Sequence, residues 1–316
     1  MNYAAGKAKA LVAIVTGVFL YLASAFYVHR YYEMPWPDLL PVLLVVGLGF
    51  SGVAWLLAGK PPAQNGKSFQ TIELLFLLIL IGWVALYITY GGDWIDRLLP
   101  RSWIEDDRLH SWVVMGRKLL VFAALPFLLY RAIGFRFNDF GGSPRRLKLL
   151  SIRGITLVLA FAVLSCLYQY YFSRAGQEVR AHPLSASQWW LGGSLGFIWL
   201  IFEAGVVEEF FFRVLLQSRL AAWTGSPTAA IVITSLIFGL THAPGLYFRG
   251  AESEGVEIAY SFGFFAAYTI LFMSVAGIFL SVLWYRTRNF WLVAIIHAFV
   301  DWMPFLHGFC KTWNIH

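Results

Sequence analysis

Residues 205–214 read GVVEEFFFRV, which sets two adjacent glutamates and an arginine inside a long apolar stretch. Inserting a charge at the middle of a membrane-spanning helix costs about 2.5–3.5 kcal/mol, so an ionisable residue there usually has a function. The stretch raises two linked questions. One is whether the chain spans a membrane, and the other is what Glu208, Glu209 and Arg213 do at that depth.

The composition of the chain is that of a membrane protein. Of its 316 residues, 59% are hydrophobic and only 13% are charged, whereas soluble domains carry roughly 25% charged residues. We therefore predict an all-α, polytopic transmembrane helix bundle. The net charge of +7 fits loops that face the anionic lipid of a bilayer. It gives no reason to expect a nucleic-acid partner.

Nine apolar runs approach the length of about 20 residues that a membrane-spanning helix needs, and eight of them are clear. They lie at about 10–28, 39–59, 74–92, 112–130, 154–172, 193–216, 227–247, 263–285 and 289–306. The fourth run is the weakest because Arg117 and Lys118 interrupt it. We keep it, since nine spans place all the basic loops on one side of the membrane, as the positive-inside rule expects.

The distribution of loop charges predicts the orientation. The loop of residues 131–153 holds six Arg and Lys residues against one acid, and the sixth loop contributes Arg219. The third and seventh loops are acidic on balance. We therefore expect a multi-pass protein of the bacterial inner (plasma) membrane, with its N-terminus in the cytoplasm and its C-terminus outside.

The same basic loop divides the chain into two parts. Residues 1–148 form about four N-terminal transmembrane helices with few polar residues at membrane depth. Residues 149–316 carry nearly all of the polar residues at that depth. We expect the first part to be a scaffold and the second to hold the functional site.

Ionisable residues at membrane depth fall into three groups, on the sixth, seventh and ninth runs. These residues are Glu203, Glu208, Glu209 and Arg213, then His242, then His297 and Asp301. The neighbours of Glu203 stay open at this point, and the aromatic residues 210–212 are expected to face lipid. One Glu, two His and one Asp well inside three separate spans are poorly explained as isolated structural residues.

Helical spacing indicates which of these side chains can meet. Residues four apart share a helix face, so Glu209 and Arg213 are expected to form an ion pair, and His297 to project beside Asp301. Phe238 precedes His242 by four residues, which places an aromatic ring on the face of the histidine.

Glu208 points about 100° away from its neighbour Glu209, so it is free to face another helix. It lies toward the cytoplasmic half of its span, whereas His242 lies beyond the midplane. The two can meet if the sixth span continues through residues 217–220 or if the seventh starts late.

A carboxylate and a histidine directed at one water molecule are suited to amide hydrolysis, which needs a base and then an acid. Glu208 and His242 would supply these groups. His297 and Asp301 on a third helix would orient the water or stabilise the developing oxyanion. Two histidines and a carboxylate would also suit a zinc ion with one ligand position left for water.

Three motifs in this order resemble those of the CPBP family, the CAAX-protease and bacteriocin-processing membrane proteins. They are EEFFFR at 208–213, FGLTH at 238–242 and HAFVD at 297–301. The family includes the eukaryotic prenyl-protein-processing endopeptidase. The motifs span about a third of the chain, and the N-terminal 150 residues lie outside the resemblance.

The resemblance implies an intramembrane endopeptidase with an all-helical fold, and it assigns roles to individual residues. Glu208 would be the general base that activates water, and His242 its partner on that water. His297 and Asp301 would match the pair that stabilises the oxyanion. The supporting residues would be Glu209, Arg213 and Phe238.

One position departs from the prenyl-protein enzymes, which have Asn where this chain has Asp301. An amide can donate a hydrogen bond to an oxyanion, whereas an ionised carboxylate cannot. Asp301 is therefore protonated in an apolar setting, or orients His297, or ligates a metal. We favour a metal-free glutamate mechanism because the sequence lacks an HExxH pair. If the reaction depends on zinc, the expected ligands are Glu208, His242, His297 and Asp301.

The expected substrate is a protein or peptide cut close to its membrane anchor, either CAAX-type processing, cleavage of a sorting signal or peptide maturation. Two other classes of function stay open. A proton-coupled transporter would use the same residues as a relay, although transporters usually have two similar halves. A non-catalytic immunity or scaffold protein would share the fold without the activity.

Overall fold

The computed structural model describes residues 3–62, 66–140, 151–249 and 260–316, and the regular structure of these residues is helical throughout. Nine long helices, α1 to α9, run in chain order as Tyr3–Tyr32, Trp36–Leu57, Ile72–Leu98, Asp107–Ala132, Ile152–Phe172, 188–224, Pro227–Arg249, Phe262–Thr287 and Phe290–Thr312. Short helices lie at Arg101–Glu105, Phe137–Phe140 and Arg174–Ala181. The all-α helix bundle predicted from the composition is confirmed.

Eight of the described helices are long and apolar enough to cross a membrane. They include α4, which carries the interrupting residues Arg117 and Lys118. The remaining long helix is α6, which contains the predicted sixth span and all four of its charged residues. The protein is therefore an integral, multi-pass membrane protein. The predicted boundary between residues 148 and 149 lies outside the described residues.

The helices of the C-terminal half form the interior of the bundle. In α7, α8 and α9, 50 to 61% of the most apolar segment is buried, compared with 17 to 28% in α1 to α5. The apolar side chains of the outer helices face what would be lipid. Burial is therefore concentrated in α7 to α9, whereas α5, which belongs to the predicted C-terminal part, is as little buried as α1 to α4.

Helix α6 continues past the end of its predicted span to Thr224 and is joined to α7 by only Gly225 and Ser226. Gly225 has a φ of 67°, a left-handed conformation that glycine adopts at little cost at a helix C-terminus. The extension moves Arg219 from a predicted cytoplasmic loop into the protein. Its side chain is 1% exposed and forms an ion pair with Glu73 of α3, at 2.5 Å between Nε and Oε2.

The prediction that residues 210–212 face lipid is wrong. Phe210, Phe211 and Phe212 are all buried, at 7% exposure or less. The ring of Phe211 packs on Phe122 of α4 at 5.8 Å between centroids, and that of Phe212 packs on Phe238 at 5.0 Å. The part of α6 from residue 209 to 221 lies inside the bundle, so other helices occupy the positions that lipid would take.

A glycine sets the closest approach of α6 to α9. A Cβ atom added to Gly205 would collide with the backbone carbonyl of Ala294 on α9. Ala294 lies one helical turn before His297, and Gly205 lies just before Glu208 and Glu209. The contact therefore fixes the separation of the two helices beside the predicted catalytic residues.

We expect Gly205→Ala to destabilise the protein by about 1–3 kcal/mol, the usual cost of overpacking, and to lower its activity. The added methyl meets backbone, which cannot rotate away. Gly308→Ala on α9 is the matched control, because nothing lies within 4 Å of its added Cβ; it should be neutral or stabilise by up to about 1 kcal/mol. The measurement is the free energy of unfolding in detergent micelles. Equal stability of the two variants would contradict the close contact.

Candidate active site

The structure brings together side chains from all three motifs. The Oε2 atom of Glu208 on α6 lies 3.9 Å from Nε2 of His242 on α7 and 3.9 Å from Nε2 of His297 on α9. The continuation of α6 to Thr224 removes the mismatch in depth between Glu208 and His242. Both distances are longer than a direct hydrogen bond and suit groups that share a water molecule.

The backbone of its own helix orients His242. Its Nδ1 atom lies 2.7 Å from the carbonyl oxygen of Phe238. A carbonyl only accepts hydrogen bonds, so Nδ1 donates, and in the neutral ring Nε2 is the acceptor. The Phe238 ring lies 4.9 Å from the imidazole, on the predicted shared face. Nε2 therefore presents a lone pair toward Glu208.

His297 is held from both sides by carboxylates. Its Nδ1 atom lies 2.7 Å from Oε1 of Glu209 on α6, and its Nε2 atom lies 3.2 Å from Oδ2 of Asp301 on its own helix. The spacing of four residues predicted the contact with Asp301. The contact with Glu209 joins two helices and was not predicted. Both adjacent glutamates thus reach His297, one on each ring nitrogen.

Glu209 and Arg213 form the predicted ion pair, and both side chains are fully buried. Their Nε and Oε2 atoms are 3.2 Å apart, although they are not aligned as a hydrogen bond. The guanidinium also lies 4.3 Å from the centre of the Phe238 ring, a distance at which the ring face attracts a cation. Arg213 therefore neutralises the charge of Glu209 and packs against the ring of Phe238, which in turn contacts His242.

The site has a wet face and a dry face. The side chains of Glu208, His242 and Asp301 are between 18 and 41% exposed. In contrast, His297 is 4% exposed and Glu209 is fully buried. Water can reach Glu208, His242 and Asp301, while His297 and the Glu209 carboxylate behind it are buried in the protein. The exposure of Asp301 argues against an apolar setting for its carboxylate.

The structure resolves the open position of Glu203 and adds a residue that sequence reasoning missed. Glu203 accepts a hydrogen bond from the ammonium of Lys118, on α4. In the sequence analysis, Lys118 was noted only because it interrupts the fourth apolar run. A lysine near the middle of a membrane-spanning helix usually has a function. That position was the signal that could have identified Lys118 from the sequence.

Among the described residues, no group of three or more His, Cys, Asp or Glu side chains has the geometry to hold a metal ion. Two ligands of one tetrahedral zinc ion lie about 3.3 Å apart, given bonds of about 2.0–2.1 Å. Glu208 lies 3.9 Å from each histidine instead.

A cavity of about 500 Å³ lies elsewhere in the described part of the protein, near the junction of α6 and α7. Its lining includes Lys67, Asp139, Arg219 and Arg288. None of the three motifs contributes to it. The side chain of Glu208 is 18% exposed and does not line this cavity, so the cavity and the candidate chemistry are separate features.

Comparison with known proteins agrees with the motifs. Residues 189–303 match the family model described as Type II CAAX prenyl endopeptidase Rce1-like. No curated protein and no solved structure matches the chain. The matched segment contains all three motifs and excludes α1 to α5. The match covers about a third of the chain, and over residues 189–303 the protein is similar to the CAAX-protease (CPBP) family.

Proposed function

We propose that this protein hydrolyses a peptide bond close to the membrane anchor of a protein or peptide, using water activated by Glu208. The observation that carries the proposal is the position of Glu208 Oε2, at 3.9 Å from Nε2 of both His242 and His297. Three groups from three helices converge on a space that water can enter.

The geometry between Glu208 and His242 suits one water molecule. A water about 2.8 Å from each atom, a normal hydrogen-bond distance, would lie about 2 Å to the side of the line that joins them. Both groups accept hydrogen bonds, so this water would donate one hydrogen to each. Its oxygen lone pairs would then be free to attack a carbonyl carbon.

The reaction would proceed by general base and then general acid catalysis. Glu208 removes a proton from the water as its oxygen attacks the scissile carbonyl, and the resulting acid returns the proton to the leaving nitrogen as the C–N bond breaks. His242 holds the water during the attack.

We assign the oxyanion contact to His297 in its doubly protonated form, in which Nδ1–H donates to Glu209 and Nε2–H is the group on α9 that can donate toward the substrate. Asp301 lies 3.2 Å from that nitrogen and orients the ring. An ionised carboxylate has no hydrogen to donate, so Asp301 itself does not replace the asparagine of the prenyl-protein enzymes.

Two observations support a substrate with a membrane anchor. The matched family model is named for CAAX prenyl endopeptidases, which supports a substrate with a lipid anchor near the cut. Cleavage of a sorting signal or maturation of a membrane-bound peptide uses the same chemistry. The site lies among helices long enough to span a bilayer, so the scissile bond is presented at the membrane.

The testing experiment uses the full chain in proteoliposomes with three reporters: a prenylated C-terminal peptide, a protein with a C-terminal transmembrane tail, and a soluble peptide. We expect cleavage of an anchored reporter and not of the soluble one, with the cut located by mass spectrometry. Activity should persist after treatment with a chelator.

Loss of cleavage with chelator and its return with zinc would overturn the glutamate mechanism in favour of a metalloprotease. Proton flux without cleavage would favour the transporter. Absence of both, in a folded protein, would favour the non-catalytic scaffold.

A further inference from the structure

Helix α4 contributes a cation to the active site from outside the segment that matches the family model. The match covers residues 189–303, whereas Lys118 lies on α4, at Asp107–Ala132. The two helices pack closely along their length. One turn and a half from Lys118, the ring of Trp112 meets that of Trp199 on α6 at 4.6 Å between centroids.

Lys118 donates a hydrogen bond through Nζ to Oε1 of Glu203. The side chain of Glu203 is only 13% exposed, and that of Lys118 is 30% exposed. A carboxylate this buried is costly unless it is paired. The partner of Glu203 is therefore supplied by the N-terminal half of the protein.

The helical geometry of α6 bears on where Glu203 lies relative to Glu208. The residues are five apart, and residues Ile201–Val206 form a π-helical turn, in which residue i bonds to residue i+5. This turn brings the two carboxylates nearer to one face than a regular α-helix would. Lys118 also interacts electrostatically with Glu208 and with Tyr87 of α3.

The other charged side chains of the site have ion-pair partners of their own. Arg213 neutralises Glu209 in the dry part of the site, and His297 lies between Glu209 and Asp301. Lys118 is thus the cation that balances Glu203. Without it, the largely buried carboxylate of Glu203 would lose this partner on the same helix as Glu208.

We infer that Lys118 is a positioning residue of the active site: it holds Glu203 aside so that Glu208 alone faces the catalytic water. This inference rests on the proposed function. It makes the N-terminal helices part of the catalytic unit rather than an independent anchor. The family segment by itself would carry an unpaired glutamate next to its base.

The test compares Lys118→Met, which keeps the length of the side chain and removes its charge, with Lys118→Arg. Displacement of a catalytic group by about 1 Å costs on the order of 100-fold. We expect Lys118→Met to lower kcat by about 10- to 100-fold with KM changed less than about twofold. Lys118→Arg keeps the positive charge, so its kcat should stay close to the wild-type value.

The deciding variant is Lys118→Met combined with Glu203→Gln. With the carboxylate gone, the cation is no longer needed, so kcat should return to within about threefold of the wild-type value. A double variant as slow as Lys118→Met would overturn the inference, because Lys118 would then act on another group. An unchanged kcat in Lys118→Met would overturn it as well.

The adjacent residue provides a matched control. Arg117 on the same helix pairs with Asp96 of α3 at 2.5 Å between Nη1 and Oδ1, away from α6. Arg117→Met should leave kcat within about twofold of the wild type, because the proposed role belongs to Lys118 and not to charge on α4 in general. Thermal unfolding shows that each variant is folded.

Glu208→Gln is assayed in parallel to separate the two proposals. If that variant still cuts, the assignment of Glu208 as the base fails. The kcat values of the Lys118 and Glu203 variants can still be compared with that of the wild type. If Glu208→Gln is inactive and Lys118→Met is unaffected, the base assignment stands and the role of Lys118 fails.

Discussion

Replacement of Glu208 by glutamine should lower kcat of peptide cleavage by about 100- to 10,000-fold, the usual contribution of a general base. Glutamine has the shape of glutamate, but its amide nitrogen cannot accept a proton. The side chain of Glu208 is 18% exposed and forms no close ion pair, since both histidines lie at 3.9 Å. Folding should therefore be unaffected, and the loss should fall on kcat rather than KM.

Two further variants sharpen this expectation. Glu208→Asp keeps the carboxylate and withdraws it from His242 and His297 by one methylene, which should cost on the order of 100-fold. Glu178→Gln is the control, because Glu178 is exposed on a short helix and pairs only loosely with Arg174, at 3.8 Å. Its kcat should equal that of the wild type. Cleavage by Glu208→Gln at the wild-type rate would remove Glu208 as the base.

The contacts within one helix were predictable from the sequence. Spacing of four residues predicted that Glu209 meets Arg213 and that His297 meets Asp301. Both contacts form, at 3.2 Å. The same rule placed the Phe238 ring beside His242. These predictions succeed because helical geometry alone determines which side chains share a face.

The motifs predicted that Glu208, His242 and His297 meet, but three other contacts between helices were not predictable. Glu209 and His297 are 88 residues apart, Lys118 and Glu203 are 85 apart, and Arg219 and Glu73 are 146 apart. Each pair depends on which helices are neighbours and on how they are rotated. A single sequence contains the charges but not the packing that joins them.

Which apolar side chains are buried at membrane depth was also not predictable from the sequence. Phe210, Phe211 and Phe212 would be equally stable facing lipid or facing other helices, because both surroundings are apolar. In soluble proteins an apolar side chain is assigned to the interior because water excludes it, and that criterion is missing here. Only the position of α6 in the bundle decides that these rings are buried.

The second large effect is expected at Glu209 and Arg213, whose side chains are both fully buried. Removing one member of a buried ion pair leaves the other charge without compensation and typically costs about 3–5 kcal/mol. We therefore expect Glu209→Gln to lower the free energy of unfolding by about that amount. Arg213→Met should lower it by less, because His297 still faces the Glu209 carboxylate at 2.7 Å. The measurement is unfolding in mixed micelles.

The double variant Glu209→Gln with Arg213→Met should regain most of this stability, because no uncompensated charge remains in the interior. Glu178→Gln is again the control, since an exposed pair contributes at most about 1 kcal/mol. If Arg213→Met alone were as stable as the double variant, the buried pair would not hold the site together.

Activity should not return with stability in the double variant. Glu209 also accepts the Nδ1–H of His297, at 2.7 Å, and a glutamine there offers a neutral oxygen in place of a carboxylate. A hydrogen bond to an ionised group is roughly twice as strong as one between neutral groups. His297 would be held less firmly against the oxyanion, so kcat should stay below the wild-type value even though the protein is folded. Full recovery of kcat would show that Glu209 serves stability alone and that His297 needs no carboxylate behind it.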